Sequence, residues 1–77
     1  MNIDNAIQAI REELESATEK FGPFVTLHEG YAVILEELDE LWDAIKTKGT
    51  PIECLEKEAI QVGAMALMFL VDLLPED

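Results

Sequence analysis

From Ala59 to Val71 every residue except Gln61 is apolar or glycine. A helix that is apolar on all sides has to be covered on all sides. In a chain of 77 residues, two further helices can hardly surround it. Its small residues Ala59, Gly63 and Ala66, spaced four and three apart, would let another helix come close. Self-association is therefore expected, most simply a two-fold dimer that completes a larger bundle. The competing expectation is a monomeric three-helix bundle with an apolar central helix.

The rest of the chain reads as two more helices. Ile3, Ile7, Ile10, Leu14, Ala17 and Phe21 form one apolar stripe at spacings of 4, 3, 4, 3 and 4, the period of an amphipathic helix. Gly22-Pro23 ends it, because proline disfavours helical geometry in the residue before it and lacks a donor of its own. Thr26-Leu27-His28-Glu29 has the capping-box pattern that opens a helix. Tyr31, Ile34, Leu35, Leu38, Leu41, Trp42 and Ile45 then fall on one side of it at about 100° per residue. Lys46, Lys48 and Gly49 suit its carboxyl end. Thr50-Pro51-Ile52-Glu53 reads as a second capping box with proline at the first helical position, opening the third helix. No strand pattern or repeat interrupts this order. Residues 1–77 form a single all-α domain, an antiparallel bundle of three main helices.

Composition narrows the partners. Seventeen acidic residues face five basic ones, a formal net charge of −12. Nucleic acid demands a Lys/Arg surface, so it is excluded as a partner, and anionic membranes are excluded for the same reason. No stretch approaches the roughly 20 apolar residues of a membrane span. The first residues, Met1-Asn2-Ile3-Asp4, carry neither a basic nor an apolar leader region, and Cys54 is the only cysteine. A cytoplasmic, reducing compartment is expected. A core this small supplies about 3–5 kcal/mol unless metal or oligomerisation adds to it.

One constellation could carry chemistry. Glu36, Glu37, Asp39 and Glu40 fall within five positions of the second helix. On a helical wheel Glu29, Glu36, Glu40 and Asp43 lie together on the flank opposite the apolar stripe, and Glu37 sits at the boundary between the two, with Glu40 one turn further along. A carboxylate at the edge of a core is costly unless it is paired or bound to a cation. On the third helix Glu58 and Gln61 hold the same i, i+3 relation, and Gln61, alone in an apolar run, needs a polar partner. Across an antiparallel helix pair, Glu37, Glu40, Glu58 and Gln61 would gather three carboxylates and one amide oxygen around a hard cation such as Mg²⁺. A bound water could then act as nucleophile with a free carboxylate as base. Against this stands the ordinary alternative that the acidic run is a solvated helix face.

The segment Glu36-Glu37-Leu38-Asp39-Glu40 reproduces an E-E-x-x-E signature, and Glu58-Ala59-Ile60-Gln61 stands where a second E-x-x-D element would follow. Together with the apolar last helix, residues Phe21 to Asp72 resemble the MazG-like all-α nucleoside triphosphate pyrophosphohydrolases. The resemblance implies an intertwined homodimer or tetramer. It also implies Mg²⁺-dependent cleavage (with Mn²⁺ as a substitute) of a nucleoside triphosphate to a monophosphate and pyrophosphate. Matched by position, Glu37, Glu40 and Glu58 would be metal ligands. Gln61 takes the place of the family's aspartate, with one negative charge fewer, and Glu36 would be an outer carboxylate for a second ion or for the attacking water. Three helices stand where the family often has four or more. A non-catalytic dimerisation or regulatory module descended from such an enzyme is the alternative.

Other residues read more plainly. Tyr31, Trp42, Met65 and Met68 are expected in the core. His28 is expected to be a structural or surface residue rather than a ligand, and Cys54 is expected to be an inert thiol. Of the five basic residues, Lys57 beside Glu58 is the candidate phosphate contact.

Overall fold

The computed structural model describes residues 1–76. Three helices account for most of them: α1 (Ile3–Phe21), α2 (Leu27–Lys46) and α3 (Ile52–Leu73). Among the described residues there is no strand, and no helix is long and apolar enough to cross a membrane.

The helix boundaries follow side-chain chemistry. Asn2 caps α1 by accepting from the Asn5 N–H at 2.8 Å, and Gly22 closes it by donating to the Thr18 carbonyl. At α2 the Thr26 hydroxyl accepts from the Glu29 N–H at 3.0 Å, and the Glu29 carboxylate accepts from the Val25 N–H at 2.7 Å. The box is thus real, with its return arm reaching one residue further back than the usual pattern. The second box is not formed. Pro51 itself is the N-cap of α3, with no side-chain cap, because the Thr50 hydroxyl donates to the Thr47 carbonyl instead. The carboxyl cap of α2 is Thr47 rather than Gly49, which lies two residues beyond at φ 85°.

α3 packs against both α1 and α2, whereas α1 and α2 do not pack against each other. The core is accordingly thin. Ala17, Phe24, Ala64, Met65 and Met68 are buried, with Ile10, Leu14, Val33, Ile34, Phe69 and Leu73 packed around them. Met65 and Met68 are core residues, as expected. Phe24, in the α1–α2 connector, is tied to the far end of α3 by its N–H donating to Asp72 Oδ2 at 2.9 Å.

Two glycines set how closely the helices approach. A Cβ on Gly30 would stand 2.7 Å from Phe69 Cδ2 and 2.8 Å from Leu73 Cδ1, so α2 meets the end of α3 only because no side chain intervenes. A Cβ on Gly63 would stand 2.9 Å from Ile10 Cδ1. Gly63 does admit another helix, but that helix is α1 of the same chain.

The expected interior placement of the α2 aromatics is corrected. Tyr31 is 64% exposed and Trp42 56% exposed, with Lys46 Nζ 5.5 Å above the indole. A single chain leaves this flank of α2 largely uncovered, and Tyr31 borders an open groove with Ala66, Phe69 and Leu70 of α3. Leu70 and Val71 are likewise exposed on the apolar helix.

Candidate metal centre

The antiparallel pairing of α2 with α3 brings Glu37, Glu40 and Glu58 together at one end of their seam. One carboxylate oxygen from each lies within 4.8 Å of the others. The i, i+3 spacing puts Glu37 and Glu40 on adjacent turns of α2, and Glu58 reaches them from the second turn of α3. Glu37 and Glu58 are half-buried, and Glu40 is exposed.

Electrostatically the cluster is under load. Glu37 Oε2 and Glu58 Oε2 are buried without a hydrogen-bond partner. Buried carboxylate oxygens in that state are costly. The Glu37 carboxyl is raised from 4.5 to about 7. Burial is the main cause, followed by the charge of Glu40 and a hydrogen bond with it, then by the charges of Glu58 and Glu36. Burial and the neighbouring charges thus make the Glu37 carboxyl hold its proton more tightly than a free carboxyl does.

The donor set fits a hard divalent cation. Mg²⁺ and Mn²⁺ take oxygen ligands, and Mg²⁺ sits about 2.0–2.1 Å from each. Three such oxygens around one octahedral ion are about 3–4 Å apart, and the three here lie within 4.8 Å of one another. The two stranded oxygens are the ones a cation would satisfy.

The other expected site residues fall around this centre unequally. Glu36 is exposed on α2 and acts on Glu37 through its charge. Gln61 is half-buried one turn beyond Glu58, but unlike the two glutamates it leaves no buried polar atom without a partner. It does not need the partner that its apolar surroundings suggest. Lys57 is not beside the cluster's α2 carboxylates. It lines an open groove of about 350 Å³ between α1 and α3, together with Glu12, Glu13, Glu53 and Glu56. This second acidic groove was not foreseen, because its residues come from helices whose relative placement no local pattern specifies. Among the described residues the one ion pair is Lys46 with Asp43, at 3.4 Å on the surface.

Comparison of the chain with protein-family models, with curated proteins and with solved structures returns no match.

Proposed function

We propose that the protein is a Mg²⁺-dependent nucleoside triphosphate pyrophosphohydrolase, cytoplasmic and oligomeric, releasing a nucleoside monophosphate and pyrophosphate. The observation that carries this is the pair of buried, partnerless oxygens of Glu37 and Glu58 beside Glu40. The sequence resemblance supplies the reaction. Glu37, Glu40 and Glu58 would hold the ion, with the Gln61 amide oxygen as a weaker neighbour. When bound, the ion neutralises and polarises the phosphates of the substrate.

The chain's own residues do the rest. Glu37 and Glu58 fix ligand positions from two packed helices, which keeps the geometry rigid. Glu36, exposed beside the cluster, accepts the proton of the attacking water. The new bond joins that water oxygen to the α-phosphorus, the bond from the α-phosphorus to the bridging oxygen breaks, and pyrophosphate leaves. Incubation with a nucleotide panel and Mg²⁺, followed by a pyrophosphate assay, tests the reading. Turnover lost in both Glu37→Gln and Glu40→Gln is expected, and turnover that survives both sinks the mechanism.

One observation favours the non-catalytic alternative. Lys57 faces the α1–α3 groove and Lys46 pairs with Asp43, so neither cation is given to phosphates at the cluster. Calorimetric titration with Mg²⁺ separates the two. A wild type that binds no ion, beside a Gln61→Asp variant that does, identifies the module descended from an enzyme.

A further inference from the structure

α1 and α2 both rest on α3 but do not pack against each other, so a trough runs between them with α3 as its floor. At the connector end the trough deepens into a cavity of about 150 Å³. Phe21 of α1, Phe24 of the connector, Val33 of α2 and Met65 and Met68 of α3 form its apolar walls, and Glu29 brings a charge to its edge. Phe24, Met65 and Met68 are buried, whereas Phe21 is 83% exposed and presents an open aromatic face at the rim. The Glu29 carboxylate is held in place because its Oε1 accepts from the Val25 N–H at 2.7 Å.

The cavity lies in line with the carboxylate cluster on both helices. At about 100° per residue, Val33 falls within about 40° of Glu37 and of Glu40 around α2, and Met65 within about 20° of Glu58 around α3. At about 1.5 Å per residue, Glu37 stands about 6 Å along α2 from Val33, and Glu58 about 10 Å along α3 from Met65. A ribose and its 5′-oxygen bridge a gap of that length, so phosphates held at the cluster would leave the base of the same nucleotide at the cavity. Size then discriminates between bases. An apolar cavity of about 150 Å³ takes a single six-membered ring such as benzene, and the fused double ring of a purine is too large for it. Aromatic and thioether walls suit a flat ring. The pyrimidines also carry a donor on their pairing edge, the amine of cytosine or the ring N–H of uracil, which a carboxylate can accept.

We infer that this cavity is the base subsite of the proposed nucleotide site and that it selects a pyrimidine over a purine, with Phe21 stacking on the ring and Glu29 accepting from its pairing edge. The inference rests on the reading of the carboxylate cluster as the phosphate end of that site.

Methyl-labelled methionine tests the cavity apart from the hydrolase reading, because a nucleoside carries neither phosphate nor metal. In the wild-type chain, millimolar cytidine or uridine is expected to shift the Met65 and Met68 methyl resonances and leave Met1 unmoved, with a smaller shift from adenosine. With Mg²⁺, kcat/KM for pyrimidine nucleoside triphosphates is expected to exceed that for purine ones by about tenfold or more. Phe21→Ala, at an exposed position, should keep its helical circular dichroism and raise the pyrimidine KM about tenfold with little change in kcat. Methionine methyls indifferent to both pyrimidine nucleosides, or shifted equally by adenosine, overturn the inference whatever the turnover. Equal kcat/KM for purines and pyrimidines overturns it as well. Pyrimidine-selective methyl shifts without turnover of any triphosphate support the cavity and overturn only the hydrolase reading.

Discussion

The two ends of the α2–α3 pair are built on opposite principles. Near the start of α2, Gly30 lets the helices close until Phe69 and Leu73 fill the space a side chain would have occupied. About two and three turns further on, Glu37 and Glu40 meet Glu58 across the same seam, and Glu37 and Glu58 each leave an oxygen without a partner. The first end stabilises through packing. The second end carries a cost of burial, and the packing of α2 on α3 holds the carboxylates in place despite it. A small protein that keeps such a load in its main seam holds it where a bound cation would relieve it.

The largest effect should come from loosening the packed end. Met68 is 2% exposed, and Met68→Ala should cost about 2–5 kcal/mol through lost burial and a residual cavity, read by urea denaturation. If that variant is nearly as stable as wild type, the packed end is not what holds the pair. Gly30→Ala comes next. Overpacking costs about 1–3 kcal/mol, offset in part by up to about 1 kcal/mol of helix propensity. A net loss is expected, and a gain would show that Phe69 and Leu73 move aside freely.

The acidic end should respond in the opposite direction. The Glu37 carboxyl sits at about 7 in the folded chain against 4.5 unfolded, so the folded state holds the extra proton between those values. Without a divalent ion, stability should fall as pH rises from 4.5 to about 7, the reverse of ordinary acid denaturation. Glu37→Gln should flatten that slope and raise the melting temperature at pH 8 by about 5 °C, while lowering Mg²⁺ affinity. In the wild type, Mg²⁺ affinity should increase with pH up to about 7, because the ion displaces the Glu37 proton. A melting temperature indifferent to both pH and Glu37→Gln would erase the contrast between the ends. The smallest effect is Thr26→Ala, which removes the α2 cap at a cost of about 1 kcal/mol. It should leave ion affinity unchanged, as a control far from the carboxylates.

The sequence made much of this legible, for identifiable reasons. The stripe from Ile3 to Phe21 and the Thr26–Glu29 box are local patterns, and local hydrogen bonds realise both. Glu37, Glu40 and Glu58 could be paired because antiparallel neighbours follow from a short connection. What failed was non-local. Thr50 resembled a cap, but its hydroxyl was claimed by the Thr47 carbonyl. Gly63 announced a close helix without saying which one, and Ile10 of the same chain fills the space. Tyr31 and Trp42 carry the periodicity of a buried stripe, which cannot distinguish burial within a chain from exposure on it.

The absence of packing between α1 and α2 has a consequence for how the chain assembles. The α2–α3 hairpin forms across a short connection, so its closure costs little chain entropy. α1 gains nothing until α3 is in place, and the bond from Phe24 to Asp72 closes over 48 positions. α1 is thus a separable cooperative unit that docks late and opens first. Amide exchange along α1 should outpace that of the hairpin, leaving α2 and α3 with their carboxylates aligned while α1 is transiently away.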